Sequence, residues 1–236
     1  MMRHIILFIG FLLLGQSANA QLFSKERLTN IENFDKRFLS WGYFLGFNSY
    51  DFKIEYNNQI NDDLTDISVE TQAGFNVGLI GDMRISPYIN LRLEPGLYFT
   101  QRNLRFPNFV EENDALREVK STYIHVPLLV KFSTKRLNNF RPFIVGGVSR
   151  SINLSSNEKN PEDNNVGQFR MTRGTNYFEL GFGIDFYLYY FKFTPSIRGV
   201  FAMSNELVPD DDPDSPWTSN ISNLATRGVF INFTFQ

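Results

Sequence analysis

The stretch Phe178-Glu179-Leu180-Gly181-Phe182-Gly183-Ile184-Asp185-Phe186-Tyr187-Leu188 alternates strictly between two kinds of side chain. The even-numbered residues are large and apolar, whereas the odd-numbered ones are acidic residues, glycines and a tyrosine. A repeat of two residues is that of an extended strand, whose successive side chains point to opposite faces. A soluble sandwich would turn the apolar face inward. A membrane barrel turns it to lipid and fills its lumen with the small and acidic residues, and this is our interpretation.

Five further segments repeat this alternation. Their predicted lipid-facing residues are Phe75, Val77 and Leu79; Ile89, Leu91, Leu93, Pro95 and Leu97; Ile124, Val126, Leu128, Val130 and Phe132; Phe193, Pro195, Ile197, Gly199 and Phe201; and Val229, Ile231, Phe233 and Phe235. Two more segments, 41–54 and 141–154, are strand-like, but the sequence does not orient their faces. The chain is therefore predicted to be all-β, with an eight-stranded antiparallel transmembrane barrel over residues 41–236.

The connections between these strands alternate in length. Long polar connections are predicted at 55–70, 103–118, 155–170 and 205–224, and short ones near 86–87, 135–139 and 189–190. A sandwich has no reason to sort its loops in this way. An outer-membrane barrel has short periplasmic turns and long extracellular loops. The pattern thus predicts an outer-membrane location with both termini in the periplasm.

An eight-stranded barrel encloses only enough room for side chains. The residues predicted to face this lumen include charges of both signs: Asp82, Arg84, Arg92, Glu94, Lys131, Glu179, Asp185 and Arg198. Because an isolated charge is costly in a dry interior, these side chains are expected to pair in a network. The lumen is therefore predicted to be closed rather than a pore.

The first forty residues precede the predicted barrel. Residues 1–20 combine a short basic start, an apolar run and a small-x-small site at 18–20, which predicts a secretory signal peptide. In the following segment, 21–40, Leu28, Ile31, Phe34 and Phe38 lie at helical spacing. This predicts a short amphipathic helix in the periplasm. Two interpretations remain: the segment covers the end of the barrel, or it docks a periplasmic partner.

Few residues suggest catalysis or ligand binding. The net charge of -2 and the lack of a basic stripe argue against nucleic acid, and the absence of cysteine excludes disulfides. Some small outer-membrane barrels modify lipid A, which requires a histidine beside a serine and a carboxylate. His125 lies mid-strand on the predicted lumen face, so we expect it to join the interior network. The run 210–214 is acidic but lacks the glycine and closing glutamate of a calcium loop, so we expect a solvated loop. No enzyme activity, cofactor or small-molecule substrate is expected.

Five stretches resemble known families. Residues 123–131 (YIHVPLLVK) and 141–147 (RPFIVGG) resemble two consecutive strands of outer-membrane barrels of the Bacteroidetes. The opening resembles the PorT family of type IX secretion and gliding, in residues 32–37 (ENFDKR), 40–48 (SWGYFLGFN) and 50–53 (YDFK). This resemblance implies a role in type IX secretion, and in adhesin delivery in gliding species. The implied partners are other type IX components and outer-membrane lipid. It implies no catalytic residues. The alternative is a structural or adhesive barrel without a secretion role.

Overall fold

The computed structural model describes residues 29–57, 67–107, 109–159 and 169–236, so the predicted signal peptide lies outside the described residues. These residues form one antiparallel sheet with very little helix. Its strands are β1 (Leu39–Tyr56), β2 (Ser68–Thr71), β3 (Ala73–Arg84), β4 (Ile89–Leu93), β5 (Gly96–Arg105), β6 (Leu116–Ser133), β7 (Phe140–Asn153), β8 (Gly174–Tyr187), β9 (Lys192–Ala202) and β10 (Ile221–Phe235). A 3₁₀ turn (Phe34–Lys36) precedes β1, and a one-turn helix α1 (Glu112–Ala115) precedes β6. Within the described ranges, no helix is long and apolar enough to cross a membrane.

The sheet closes on itself as a barrel. β1 pairs with the last strand, β10, and also with β3. From there the ring runs through β9, β8, β7 and β6 back to β3, with β4 and β5 sharing one position between β6 and β3. Eight positions make up the ring, which confirms the predicted all-β, eight-stranded antiparallel barrel.

Two details of the sheet differ from the sequence prediction. The third predicted strand is two strands, because the ladder is interrupted between β4 and β5 at Glu94 and Pro95. Proline has no N–H to donate to the neighbouring strand, so it interrupts the ladder. In addition, the predicted loop at 55–70 contains part of β2, which pairs with the last four residues of β5.

The predicted faces agree with the structure. Phe178, Leu180 and Phe182 are exposed on the outer surface, whereas Glu179 and Asp185 are buried in the lumen. The structure also orients the two strands that the sequence left open. β1 turns Tyr43, Leu45 and Phe47 outward and Phe44, Asn48 and Tyr50 inward, and β7 turns Ile144 and Val148 outward and Phe143 and Ser151 inward. The outer surface therefore has an apolar band of about ten residues per strand, which matches the height of a bilayer core.

The two ends of the barrel differ. We call one the turn end: it has the short connections 85–88, 134–139 and 188–191, the segment before β1, and Gln236. The other is the loop end, with the connections 57–67, 106–115, 154–173 and 203–220. Beyond the apolar band the strands continue toward the loop end with a polar outer surface, where Lys53 pairs with Glu55 at 2.5 Å. The interior there is a hydrophobic core, formed by Phe52, Leu104, Phe106, Val119, Phe169, Met171, Leu207, Trp217, Ile221 and Leu224.

The described part of the segment before β1 does not form the predicted amphipathic helix. Over residues 29–38 it forms one 3₁₀ turn of three residues, while Leu28 lies outside the described residues. Ile31 has φ 47°, which a continuous right-handed helix does not allow. The backbone of the segment bonds to the barrel instead: the Asn30 amide donates to Asn139 Oδ1 at 2.9 Å, and the Phe38 carbonyl accepts from the Arg84 amide at 2.8 Å.

Candidate functional site

One group of lumen charges is centred on Arg92. Its Nη2 lies 2.8 Å from Asp82 Oδ2, and its Nη1 lies 3.3 Å from Glu94 Oε1. The second oxygen of Asp82 accepts a hydrogen bond from Asn90 Nδ2 at 2.5 Å. All of the charged atoms in this group are buried, so each charge depends on its neighbours instead of water.

Arg198 extends this group across the lumen to a different part of the barrel. Its Nη1 lies 2.8 Å from Glu94 Oε2, and its Nε lies 2.9 Å from Glu179 Oε2. The remaining oxygen of Glu179 lies 2.7 Å from His125 Nε2. Because β3, β4, β6, β8 and β9 are thereby joined through their side chains, the network ties distant strands together inside the barrel.

A second ion pair lies beside the first group. Lys131 Nζ is 2.5 Å from Asp185 Oδ2, and Thr194 Oγ1 donates to Asp185 Oδ1 at 2.8 Å. The ammonium of Lys131 also lies 4.1 Å from the centre of the Phe143 ring, a cation–π contact.

The structure brings together seven of the eight predicted lumen charges. Each of the seven is buried and has an oppositely charged neighbour: Asp82, Arg92, Glu94, Lys131, Glu179, Asp185 and Arg198. The eighth, Arg84, lies at the turn end, where it is half-buried and forms no ion pair with any described residue. Its position at the last residue of β3 places it at the rim, outside the closed part of the lumen.

His125 has neighbours of the kinds that hydrolases use. Its Nδ1 lies 2.5 Å from Ser151 Oγ, and its Nε2 faces Glu179. All three side chains are buried in the lumen, at 0–2% exposure, and the rings of Tyr98 and Phe230 pack against the imidazole. A nucleophile must touch its substrate, so this arrangement supports a structural role in the network. The sequence did not indicate Ser151, because the faces of β7 were ambiguous.

An aromatic layer separates the charged network from the loop-end core. It consists of Phe44, Tyr50, Tyr98, Tyr123, Tyr177 and Phe230, with Val200. Arg102 lies on its loop-end side, where it donates to Tyr123 Oη at 2.8 Å and to Thr226 Oγ1 at 2.9 Å. The sequence pattern does not indicate this layer, because tyrosines on the polar face of a strand are not distinctive.

The described part of the segment before β1 forms a cap over the turn end. Phe34 is buried there, edge-on to Tyr187 with ring centres 6.3 Å apart. Asp35 accepts a hydrogen bond from Tyr187 Oη at 2.5 Å and lies 3.3 Å from Arg141 and 3.6 Å from Arg136. We use the word cap for residues 29–38.

The four residues predicted to dock a partner have different surroundings in the cap. Phe34 is occupied within the molecule, Ile31 is half-buried, and Phe38 is 69% exposed, while Leu28 lies outside the described residues. Phe38 is therefore the one described member of the four whose ring is free for an outside contact.

The acidic run at 210–214 is only partly a solvated loop. Asp211, Asp212 and Asp214 are exposed, but Asp210 is buried. Asp210 Oδ2 accepts hydrogen bonds from Ser215 Oγ at 2.5 Å and Thr218 Oγ1 at 3.1 Å, and its other oxygen pairs with Arg170 at 3.3 Å. Asp210 thus anchors its loop. No cluster of three metal-binding side chains is found in the part of the chain that the structure describes.

Several outer-membrane proteins of solved structure are similar to this chain at low sequence identity. No curated protein matches the sequence. Solved structures of similar shape include the N-terminal β-barrel domain of Pseudomonas aeruginosa OprF (TM-score 0.36, 13% identity, covering 82% of this chain and 97% of that one). Another is Neisserial surface protein A (TM-score 0.43, 7% identity, covering 83% of this chain and 97% of that one). A third is OprG from Pseudomonas aeruginosa (TM-score 0.40, 15% identity, covering 84% of this chain and 93% of that one). These low scores support no further argument.

A family model gives a stronger result. The model described as outer membrane protein beta-barrel domain matches residues 19–208, which is well over half of the chain. The matched residues include the cap and nine of the ten strands, β1 to β9. By its sequence and its closed antiparallel barrel, the chain belongs to the family of outer membrane protein beta-barrel domains.

Proposed function

We propose that this protein is a non-conducting accessory component of type IX secretion that acts through contacts with other proteins of that machinery. In this proposal the turn end, with the cap and both chain termini, faces the periplasm, and the loop end faces outward. The observation that supports it most directly is the filled lumen, because a barrel that conducts nothing must act through its surfaces.

Large side chains fill the lumen at every level. The largest fully buried ones are Arg92, Arg102, Arg117, Tyr50, Tyr98, Tyr177, Tyr187, Phe44, Lys131, Phe230, Ile80 and Leu104. An eight-stranded barrel has no room for a second occupant beside such a filling. Passage of a polypeptide would require the buried ion pairs to separate, which leaves uncompensated charges. A role as the secretion conduit is therefore the least suitable one for this barrel.

The assignment to type IX secretion depends on the resemblance of residues 32–53 to the PorT family. In the structure these residues belong to two parts of the chain, the cap and most of β1. Phe34 and Asp35 of the motif hold the cap on the barrel, whereas Lys36 and Phe38 are exposed. Contacts with a periplasmic partner are thus proposed for the exposed side of the cap and the neighbouring short turns.

Deletion of the gene tests the proposal. Mass spectrometry of the culture supernatant is expected to show loss of proteins with type IX C-terminal signals, and the gene supplied in trans is expected to restore them. An unchanged set of secreted proteins would refute the secretion role and favour the structural or adhesive alternative. Altered lipid A in a His125→Ala strain would instead favour a lipid-modifying enzyme.

A cap variant tests the contact surface separately. Replacement of residues 22–39 by a neutral linker is expected to reduce secretion while the barrel still inserts, as judged by its heat-modifiable mobility in gels. Phe38→Ser, which changes one exposed ring, provides a smaller version of the same test. Normal secretion in the linker variant would show that the contacts lie elsewhere.

A further inference from the structure

A small polar cavity lies at the turn end, between the cap and the lumen charges. Its volume is about 20 Å³, and its lining includes Phe34, Asp35 and Arg37 of the cap. Charged residues of the barrel, together with Ser40, Ser86 and Asn90, complete it. It is not sealed from solvent, because Arg37 is exposed and Arg84 is half-buried at its edge. The cap thus forms one wall of a cavity whose other walls are polar and mostly charged.

The three carboxylates of this cavity already have cationic partners. Asp35 lies 3.3 Å from Arg141, and Asp185 lies 2.5 Å from Lys131. Asp82 lies 2.8 Å from Arg92, which is outside the lining. The negative charges of the three carboxylates are therefore already balanced by these partners, without the remaining cations of the lining.

Three cations of the lining have no such partner. Lys192, Arg37 and Arg84 form no ion pair or side-chain hydrogen bond with any described residue. The lining has five cations (Arg37, Arg84, Lys131, Arg141 and Lys192) and three carboxylates (Asp35, Asp82 and Asp185), which is a surplus of two positive charges. This surplus lies in a region partly withdrawn from water.

Lys192 is the most informative of the three. Its side chain is only 4% exposed, and its ammonium lies 4.7 Å from the centre of the Phe34 ring. A cation–π contact compensates a buried ammonium only in part. Asp82 and Asp185 attract this ammonium electrostatically, but neither forms a close ion pair with it. A buried charge without a close counter-ion is costly, so a group that supplies negative charge here stabilises the folded protein.

We propose that this cavity binds a phosphate group, held by Lys192, Arg84 and Arg37. Guanidinium groups match the paired oxygens of an oxyanion, and an ammonium adds a compact point charge. A cavity of about 20 Å³ holds about one water molecule, so the anion enters only when the exposed Arg37 side chain, whose guanidinium carbon lies 5.1 Å from the centre of the Phe34 ring, moves outward. Because Arg37 belongs to the cap and the other two residues to the barrel, the bound phosphate fastens the cap. The phosphate is either free or the headgroup of a membrane phospholipid.

Titration of inorganic phosphate into the folded protein in a nonionic detergent tests the site. Calorimetry is expected to show saturable binding. Lys192→Met and Arg84→Gln are each expected to weaken it about tenfold or more, because each removes one charge-assisted contact. Lys135→Gln is the matched control: this lysine is exposed at the turn end but lies outside the cavity lining. The affinity of the Lys135→Gln variant for phosphate is expected to be unchanged. Arg84 is half-buried, so its variant still folds if the lysine variant does not.

The source of the phosphate is distinguished in vesicles. Hydrogen exchange of the cap amides is compared in vesicles of a phosphate-free galactolipid alone, with added inorganic phosphate, and with phosphatidylglycerol mixed into the bilayer. Slower exchange with phosphatidylglycerol identifies a lipid headgroup, and slower exchange with inorganic phosphate identifies the free ion. The proposal is overturned if neither probe binds or slows exchange, or if Lys192→Met and Arg84→Gln bind phosphate as tightly as the unmodified protein.

Discussion

The membrane-facing part of the barrel and its loop-end part are built in opposite ways. In the first, the outer surface is apolar and the interior holds ion pairs such as Arg198 with Glu179. In the second, the outer surface holds ion pairs such as Arg227 with Asp51, and the interior is a hydrophobic core around Leu104 and Trp217. One closed sheet therefore supports both an inverted arrangement and an ordinary globular one.

β6 shows the change within a single strand. Near the loop end, Val119 points inward and Lys120 outward; farther along, Lys131 points inward and Phe132 outward. The inward–outward alternation is continuous along the strand, but the polar residues change from the outer face to the inner face and the apolar residues change in the opposite sense. The boundary lies near Tyr123, in the aromatic layer. Period-two alternation thus fixes which side chains share a face, while the surrounding solvent decides which face is apolar.

The largest expected effect comes from breaking the buried network. Arg198→Ala leaves Glu94 and Glu179 without their shared cation in a dry lumen. Removal of one partner from a buried ion pair costs about 3–5 kcal/mol. Reversible urea unfolding in lipid vesicles, followed by tryptophan fluorescence, measures this change in the free energy of unfolding.

Arg227→Ala is the matched control at the loop end. Arg227 pairs with Asp51 at 2.7 Å, a distance like those in the lumen, but its side chain is 55% exposed. An exposed pair contributes about 0–1 kcal/mol, so little change is expected. Equal losses in the two variants would show that the lumen is hydrated and would contradict the dry interior.

The sequence predicted the membrane-facing part better than the loop-end part. In Phe178–Leu188 each face is chemically uniform, so both the strand and its orientation followed from the pattern. β1 has aromatic side chains on both faces, Tyr43 and Phe47 outward and Phe44 and Tyr50 inward, and pattern alone cannot orient such a strand. The loop-end core was missed because Phe106 and Trp217 lie in connections that are polar on average.

The lumen charges were predictable because a charged residue on the polar face of a spanning strand has nowhere else to lie. Their partners were not predictable. Arg198 of β9 meets Glu94, which lies between β4 and β5, and such contacts across the lumen depend on the register of every strand between them. The cap residues were assigned to a helix because the spacing of Phe34 and Phe38 is helical, but tertiary bonds to Asn139 and Arg84 outweigh that preference.

Truncation inside the loop-end core tests whether this part behaves as a globular core. Leu104 is fully buried there, so Leu104→Ala is expected to cost about 2–5 kcal/mol locally. The expected result is faster hydrogen exchange at the loop end with unchanged exchange in β8 and β9 near the turn end. Val126→Ala, on the outer face of β6, is the control and leaves loop-end exchange unchanged.

A charge on the outer surface tests where the two parts meet. Leu180 and Asn176 lie on the same outer face of β8, four residues apart, and both are exposed. Leu180→Arg places a cation in the lipid band and is expected to cost about 2–4 kcal/mol, whereas Asn176→Arg, beyond the band, costs about 0–1 kcal/mol. Urea unfolding in lipid vesicles measures both changes in the free energy of unfolding. Equal changes would mean that the apolar band extends to Asn176.

The smallest expected effect concerns a buried acid at the loop end. Glu206 accepts hydrogen bonds from Tyr177 Oη at 3.1 Å and Thr226 Oγ1 at 2.7 Å, and burial raises the pKa of its carboxyl above the usual value. The folded state therefore binds this proton more tightly than the unfolded state does. Its stabilising contribution is complete below the unfolded pKa and is lost as pH rises through the folded pKa.

Glu206→Gln, which keeps the shape and removes the titration, is expected to weaken this dependence on pH. In the unmodified protein, hydrogen exchange around residues 203–207 is expected to slow as the pH falls from 7 toward 5, after correction for the intrinsic exchange rate. The variant is expected to show a smaller change. Glu118→Gln, an exposed acid paired with Lys120 on the outer surface, is the control and keeps the full dependence. Only an acid inside the loop-end core is desolvated. Identical behaviour of the two variants would therefore show that this core admits water. The contrast between the two parts of the barrel would then lie in their outer surfaces alone.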